Sequence, residues 1–283
     1  MIRLESHGLV CEIEPQLGGC IAGLWLDGVP VLRSTREPLT SARQSGSYPL
    51  VPFSNRLARA TLRWNGTDHP LVTNNAPEPH AIHGVGWQRP WSVLDSDGSF
   101  AMLAYEHPAD ASWPFAFDTS QTLRLRGNSL ELTLALTNQS SAPAPVGLGW
   151  HPFFVKRPNS RIAFEATGRW DMGPDQLPTV RRPARGIDAD CASLDVDHCF
   201  DGWTGVVTLR DEVLHICVRS DLRRLVVFTH ASRDTIAIEP VSHVNNAINL
   251  VAAGADAADL GLHTLQPGET LAAQMSIEVE AAR

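Results

Sequence analysis

The stretch Leu123-Arg-Leu-Arg-Gly-Asn-Ser-Leu-Glu-Leu-Thr-Leu-Ala-Leu-Thr137 decides the architecture. Leu130, Leu132, Leu134 and Leu136 alternate with Glu131, Thr133, Ala135 and Thr137, the period of two that a strand with one buried face requires. Leu123-Arg-Leu-Arg126 alternates in the same way, and Gly127-Asn128 between the two runs is a two-residue turn signal, so the segment predicts an antiparallel hairpin. Asp27-Gly28, Asn65-Gly66 and Asp97-Gly98 mark further hairpins, flanked by runs such as Leu24-Trp-Leu26 and Trp91-Ser-Val-Leu94. Helical periodicity is scarce. Its best candidate, Asn246 to Asp259, is capped poorly and reads equally well as a loop with one short turn. Twenty prolines and 21 glycines are spread along the chain with no repeat or linker, which predicts many turns. The expected fold is all-β, a large antiparallel β-sandwich forming a single domain over residues 1–283.

Composition narrows the function. Hydrophobic residues make up 43% of the chain and charged ones 19%, enough apolar material for one large core. A net charge of −8 argues against nucleic acid and anionic membranes as partners and favours a neutral ligand. The five cysteines include no C-x-x-C pair, so neither a disulfide framework nor a zinc site is indicated. The N-terminus lacks a signal-peptide pattern and no apolar run reaches membrane-spanning length, which predicts a cytoplasmic protein.

Two proton-transferring side chains stand out. His151, in Gly147-Leu-Gly-Trp-His-Pro-Phe-Phe154, and Glu239, in Ile236-Ala-Ile-Glu-Pro240, each precede a proline in an apolar extended stretch. Proline excludes the α region for the residue before it, so both are expected at strand ends, a rigid mount for an acid or a base. In the second stretch Thr235, Ala237 and Glu239 share one face and Ile236 and Ile238 the other, which aims the carboxylate away from the isoleucine core. Such a pair suits reversible proton transfer on a small polar substrate. His80 and His83 have H-x-x-H spacing, but the strand-like context and lack of a third ligand nearby argue against a metal site. Cys199 reads as a buried small hydrophobe, and Arg181-Arg-Pro-Ala-Arg185 as a solvated loop.

An ordered series of motifs accompanies this pair. It runs through Ser54-Asn-Arg-Leu-Ala58, the Asn65-Gly66 hairpin, Ile82-His-Gly84 with Gly86-Trp87, Trp113-Pro-Phe115, Asn138, Pro145 to Phe154, Asp197-His-Cys-Phe200, Ile238-Glu-Pro240 and Asn246-Ala-Ile-Asn249. From about Gln44 to Asn249 the chain resembles the aldose 1-epimerase family, or galactose mutarotases. The resemblance implies one large β-sandwich that interconverts the α and β anomers of a monosaccharide, as a monomer or homodimer. By position, Glu239 resembles the base that deprotonates the anomeric hydroxyl, His151 the acid that protonates the ring oxygen, and His83 the histidine that supports the acid. Arg56 and Asp197 match residues holding sugar hydroxyls, with Asn55 and Trp87 as further contacts. Such chemistry needs neither metal nor redox cofactor.

Indole faces suit the C–H face of a sugar, so Trp87, Trp150 and Trp203 are candidates, with core packing the better reading of Trp150. Ala81 to Arg89 lacks the longer glycine-rich insert of galactose-type members, and Pro240 stands where those usually carry threonine, which resembles a compact branch acting on varied free sugars. A phosphosugar epimerase of the glucose-6-phosphate type is the runner-up, with Arg59, Arg89, Lys156 and Arg157 as candidate cations. A carbohydrate-binding module without turnover is the remaining alternative, and the matched acid and base speak against it.

Overall fold

The hairpin at Gly127-Asn128 lies inside the largest sheet, one of nine strands. In the computed structural model, which describes residues 1–35 and 38–282, Phe117–Arg126 and Ser129–Asn138 pair antiparallel with Leu125 opposite Leu130 and Arg126 opposite Ser129. The alternating leucines 130, 132, 134 and 136 are all buried, and their face is the one turned to the core. This nine-stranded sheet runs from the edge strand Ser92–Ser96 through Phe100–His107, the central hairpin, Thr270–Ala281, Leu214–Ser220, Val206–Arg210 and Arg161–Phe164 to Ile187–Asp190. Asp27-Gly28 and Asn65-Gly66 also reverse the chain where expected, with Leu26 opposite Val29 and Trp64 opposite Thr67. Asp97-Gly98 lies in the connection from Ser96 to its partner Ala101.

The eight-stranded sheet carries the site. It runs from Pro178–Pro183 through Gly168–Met172, Val196–Asp201, Arg224–Thr229, Thr235–Val241 and Gly149–Trp150 to Pro49–Leu50, with Phe153–Val155 also pairing Thr235–Val241. The layers meet in one apolar cluster, and at least one polar contact joins them. Trp150, fully buried, donates its indole N–H to Gln121 Oε1 of the large sheet at 3.0 Å, and Gln121 Nε2 donates to the Gly19 carbonyl at 3.0 Å. A buried indole contributes more than its area only when its N–H finds such a partner. Trp150 is therefore core. Trp203, likewise buried, bonds the Val206 carbonyl and is not a platform for a ligand.

Glu239 departs from the sequence expectation in an instructive way. It lies inside Thr235–Val241, not at its end, and all seven residues of that strand are buried. Proline is tolerated there because of a break in the neighbouring strand. Ile238 and Ser242 send their N–H groups to the carbonyls of Pro152 and Leu148, so Pro240, between them, turns its nitrogen to the gap between Gly149–Trp150 and Phe153–Val155. No ladder hydrogen bond is lost, since antiparallel N–H groups alternate sides. His151 occupies that gap, at a strand end as expected.

Two further readings are corrected. The segment expected as one helix or a loop, Asn246 to Asp259, forms two short helices, Ala247–Ala252 and Ala257–Leu260, the second ending one residue beyond it and capped by the Asp256 carboxylate on the N–H groups of Ala258 and Asp259. Arg181 to Pro183 belongs to the edge strand Pro178–Pro183, where Arg181 grips buried Asp201 with two hydrogen bonds of 2.7 and 2.8 Å. All five cysteines are free, and Cys199 is buried with its thiol pushed up to about 12 by desolvation. Among the described residues no helix is long and apolar enough to cross a membrane.

Candidate active site

The break that accepts Pro240 also opens a cavity of about 370 Å³, within the range of small-molecule sites. Glu239, His151, His83, Arg56, Asp197, Asn55 and Trp87, the seven residues singled out in the sequence, all line it. Thr235 and Ala237 do not; Val226, directly opposite Glu239 across the ladder, and Phe228 do. His80, by contrast, accepts the Arg59 N–H at Nδ1 and lies against the Asp175 carbonyl at the edge of a neighbouring cavity.

His151 is held on three sides. Its N–H donates to the Tyr48 carbonyl at 3.0 Å, its ring stacks on Phe153 at 4.3 Å, and Tyr48 covers it at 4.9 Å. From this clamp Nε2 lies 3.3 Å from Glu239 Oε1. Both side chains are buried, and His151 Nδ1 and Glu239 Oε2 have no hydrogen-bond partner among the described residues. Buried polar atoms are nearly always paired, so these two are places where a ligand group is wanted.

His83 is set by an unusual backbone. His83 (φ 59°) and Asn55 (φ 55°) both sit in the left-handed region, which costs a non-glycine residue about 1–3 kcal/mol and persists only where surroundings enforce it. Here the two enforce each other: the His83 N–H donates to the Asn55 carbonyl at 2.8 Å, and the Asn55 N–H to His83 Nδ1 at 3.0 Å. Gly84 follows with φ +67°, and a Cβ there would lie 2.0 Å from the Val51 carbonyl oxygen, so only glycine fits. Because Nδ1 accepts, Nε2 carries the hydrogen. His83 is therefore a donor.

Electrostatics divide the pair. Burial, reinforced by the Asp197 charge, pushes Glu239 well above the usual carboxylate range, with Arg56 opposing. Burial, and then the charge of Arg33, lowers His151 to about 3. Both shifts favour neutral groups, so the pair holds one proton and rests with it on the carboxyl. His83 is lowered well below its ordinary value by burial, then by His151. His83, His151 and Glu239 present ligand atoms within 4.8 Å of one another, as a metal would need. The Asn55 N–H on His83 Nδ1 opposes that use, because it leaves the ring hydrogen on Nε2, the nitrogen that would have to ligate.

Arg56 binds Glu78 through Nε and Nη2 at 2.8 and 3.1 Å, and this partner holds Glu78 below its usual range. Asp197 is raised by burial, with Arg56 opposing. Of the cations considered for a phosphate, none lines the cavity: Arg89 pairs with Asp110, Arg157 with Asp211, Lys156 donates to the His230 carbonyl, and Arg59 lines the neighbouring cavity. Tyr48, Arg33, Arg43 and Arg233 also line it and carry no local signal in the sequence. Glu78 had one, since it precedes Pro79 as Glu239 precedes Pro240.

The same burial predicts how stability depends on pH. Six histidines, at 83, 107, 151, 198, 243 and 263, have lowered values, with His243 at about 4. The unfolded chain takes up these protons first, so their contribution is complete above about pH 6.5 and is lost as pH falls. Glu239 and Asp197, raised in the fold, act in the opposite direction. His198 and His263 are partly solvated and count for little, but the four buried histidines outnumber the two carboxyls, so between pH 6 and 5 stability should fall by about 1.4 kcal/mol per pH unit, one net proton. Urea midpoints at pH 5, 6 and 7 check this, and a midpoint that stays level or rises toward pH 5 would contradict it.

Comparison with known proteins agrees with this geometry. The sequence model of the family described as aldose 1-epimerase matches residues 1–278. The Escherichia coli (strain K12) protein YphB, of uncharacterised activity, is 30% identical over 298 residues, covering 97% of each chain. The crystal structure of an Escherichia coli K12 protein proposed to be an aldose 1-epimerase is similar at TM-score 0.87 with 27% identity, covering 99% of this chain and 98% of that one. A galactose mutarotase-like protein of Clostridium acetobutylicum shares the fold at TM-score 0.87 and 19% identity, covering 99% and 94%. With a family model spanning nearly the whole chain and a fold of the mutarotase type around the His151–Glu239 cavity, the protein belongs to the aldose 1-epimerase family.

Proposed function

We propose that the protein interconverts the α and β anomers of an aldose by acid-base ring opening, with Glu239 and His151 as the reacting pair. The observation that carries this reading is the 3.3 Å approach of His151 Nε2 to Glu239 Oε1 inside a buried cavity. Shifting the shared proton from the carboxyl to the imidazole gives a carboxylate and an imidazolium side by side. The carboxylate takes the proton of the anomeric hydroxyl while the imidazolium gives its proton to the ring oxygen. The ring C–O bond breaks and an open-chain aldehyde forms, with the pair again neutral and the proton back on Glu239. Rotation about the C1–C2 bond presents the other carbonyl face, and the reverse transfers close the ring with inverted anomeric configuration. No net proton is consumed, and each positioned group contributes about 10²–10⁴-fold.

The supporting cast follows from donor and acceptor chemistry. His83 Nε2–H serves as a donor to an oxygen near the reacting centre, fixed by the Asn55 amide. Asp197 accepts from sugar hydroxyls and Arg56, steadied by Glu78, donates to them. Asn55 adds an amide, and Trp87, whose indole donates to the Ile82 carbonyl at 3.4 Å, offers an apolar face. Polarimetry or NMR exchange on freshly dissolved α-anomers tests the reading: the protein should accelerate equilibration of at least one aldose. Rates equal to the buffer blank across pentoses, hexoses and their charged derivatives would refute it.

A further inference from the structure

The net charge of −8 points to a neutral ligand, but the cavity is locally different. Besides Arg56, three guanidinium groups line it: Arg33, Arg43 and Arg233. Among the described residues, none of these three forms an ion pair with a carboxylate, whereas Arg56, Arg157 and Arg181 do, with Glu78, Asp211 and Asp201. The cavity's own carboxylates do not balance them. Glu78 is taken by Arg56, and Glu239 is held toward its neutral form. Among the described residues that line the cavity, Asp197 remains as one charge against three.

The three are also held in place. Arg33 lies over the Phe153 ring at 3.7 Å and donates from Nε to the Ser45 carbonyl at 2.9 Å. Arg233 lies over Phe228 at 4.4 Å, with Nε 3.0 Å from His230 Nε2. Arg43 donates from Nη1 to Asn75 Oδ1. Ring faces and neutral acceptors fix these side chains without cancelling their charge, so little rotamer freedom remains to be lost on binding. Their proximity is unfavourable by itself: burial lowers the pKa of Arg33, and the charges of Arg233 and Arg43 lower it further, with Tyr48 and Asp234 opposing. Like charges gathered in a partly desolvated cavity are stabilised by an anion.

We infer that Arg33, Arg43 and Arg233 form an anion subsite, and that the aldose acted on carries a carboxylate or phosphate remote from its anomeric carbon. The inference rests on the mutarotase reading above and narrows its substrate class. It has a consequence for the chemistry. The Arg33 charge is the strongest charge effect holding His151 neutral, and an anion over that guanidinium offsets it. Binding of an anionic sugar then helps move the shared proton from Glu239 to His151, where ring opening needs it.

The test compares a hexose, its hexuronic acid and its 6-phosphate, taking the ratio of kcat/KM for charged over neutral sugar within each protein. The ratio should exceed about tenfold in the unaltered protein at low salt, the scale of one charged hydrogen bond, and fall as ionic strength approaches a Debye length of about 8 Å. In Arg33→Gln and Arg233→Gln it should drop about tenfold or more, and Arg33→Lys should retain most of it. Taking a ratio removes any loss of folded protein. A higher ratio for the uronate assigns a carboxylate, and a higher ratio for the ester a phosphate.

A second arm needs no turnover: tryptophan fluorescence titration with 1,5-anhydroglucitol, which has no anomeric hydroxyl, and with its 6-phosphate and 6-carboxylate. Tighter binding of a charged analogue that weakens in the arginine variants supports the subsite even if no anomerisation is found, which would sink the mutarotase reading alone. Equal binding of charged and neutral analogues, or a preference untouched by both glutamine variants, overturns the subsite and leaves mutarotation of neutral sugars standing.

Discussion

Glu239→Gln and His151→Asn should each lower kcat by about 10²–10⁴-fold, the contribution of one positioned acid or base. The two differ in what they do to the fold, and that difference makes the experiment discriminating. Glu239 is buried with an unpartnered oxygen and a strongly raised pKa, so at neutral pH the fold works against its ionisation. Glutamine keeps the shape and can point its amide N–H at His151 Nε2, as the carboxyl does, without a charge to bury. Its variant should be more stable by about 1 kcal/mol or more, a gain of roughly 2–4 °C in Tm for a chain of this size. His151→Asn removes a ring stacked between Phe153 and Tyr48 and should lower Tm, because the vacated volume is only partly refilled. Loss of activity with gain of stability at position 239 separates a catalytic group from a structural one. Near-full anomerisation by either variant would remove it from the reacting pair.

Two residues of the candidate site were legible from local backbone rules, and the other five came only through the family resemblance. The pre-proline positions of His151 and Glu239 mark a broken strand facing a proline-bearing one, and the structure joins the two at that break. The alternating leucines at 130 to 136 are equally local, since a period of two needs no knowledge of distant partners. What escaped is what depends on distant partners. Glu239 was expected at a strand end because a proline inside a strand costs a ladder bond, and the compensating gap belongs to residues 151–152, far away in sequence. Arg181 is exposed as its run of three arginines suggests, but its place in a strand and its hold on Asp201 depend on partners distant in sequence. Arg33 and Arg43 lie ten residues apart in the segment between Val29–Pro30 and Pro49–Leu50, Arg233 lies far away before Thr235–Val241, and only folding brings the three charges to one cavity. The left-handed backbone of Asn55 and His83 has no signature either, as each is sustained by the other.

Asp197→Asn and Arg56→Met should weaken sugar binding by about 1.5–3 kcal/mol each, the range for hydrogen bonds to charged groups, and should act on KM at least as strongly as on kcat. A second readout tells the two apart. Asp197 raises the Glu239 pKa and Arg56 lowers it, and the reacting pair works only while it holds one proton. Losing that proton sets the alkaline limb of kcat/KM against pH. Asp197→Asn takes away a negative neighbour, so Glu239 releases its proton sooner and the alkaline limb moves to lower pH. Arg56→Met takes away a positive one, and the limb moves to higher pH. Glu78, left without Arg56, is one-third exposed, and water there limits the cost to the fold. Unchanged sugar affinity in both variants would place these residues outside the binding site. Limbs that shift together, or not at all, would show that their charges do not reach the Glu239 proton, and the one-proton account of the pair would have to be given up.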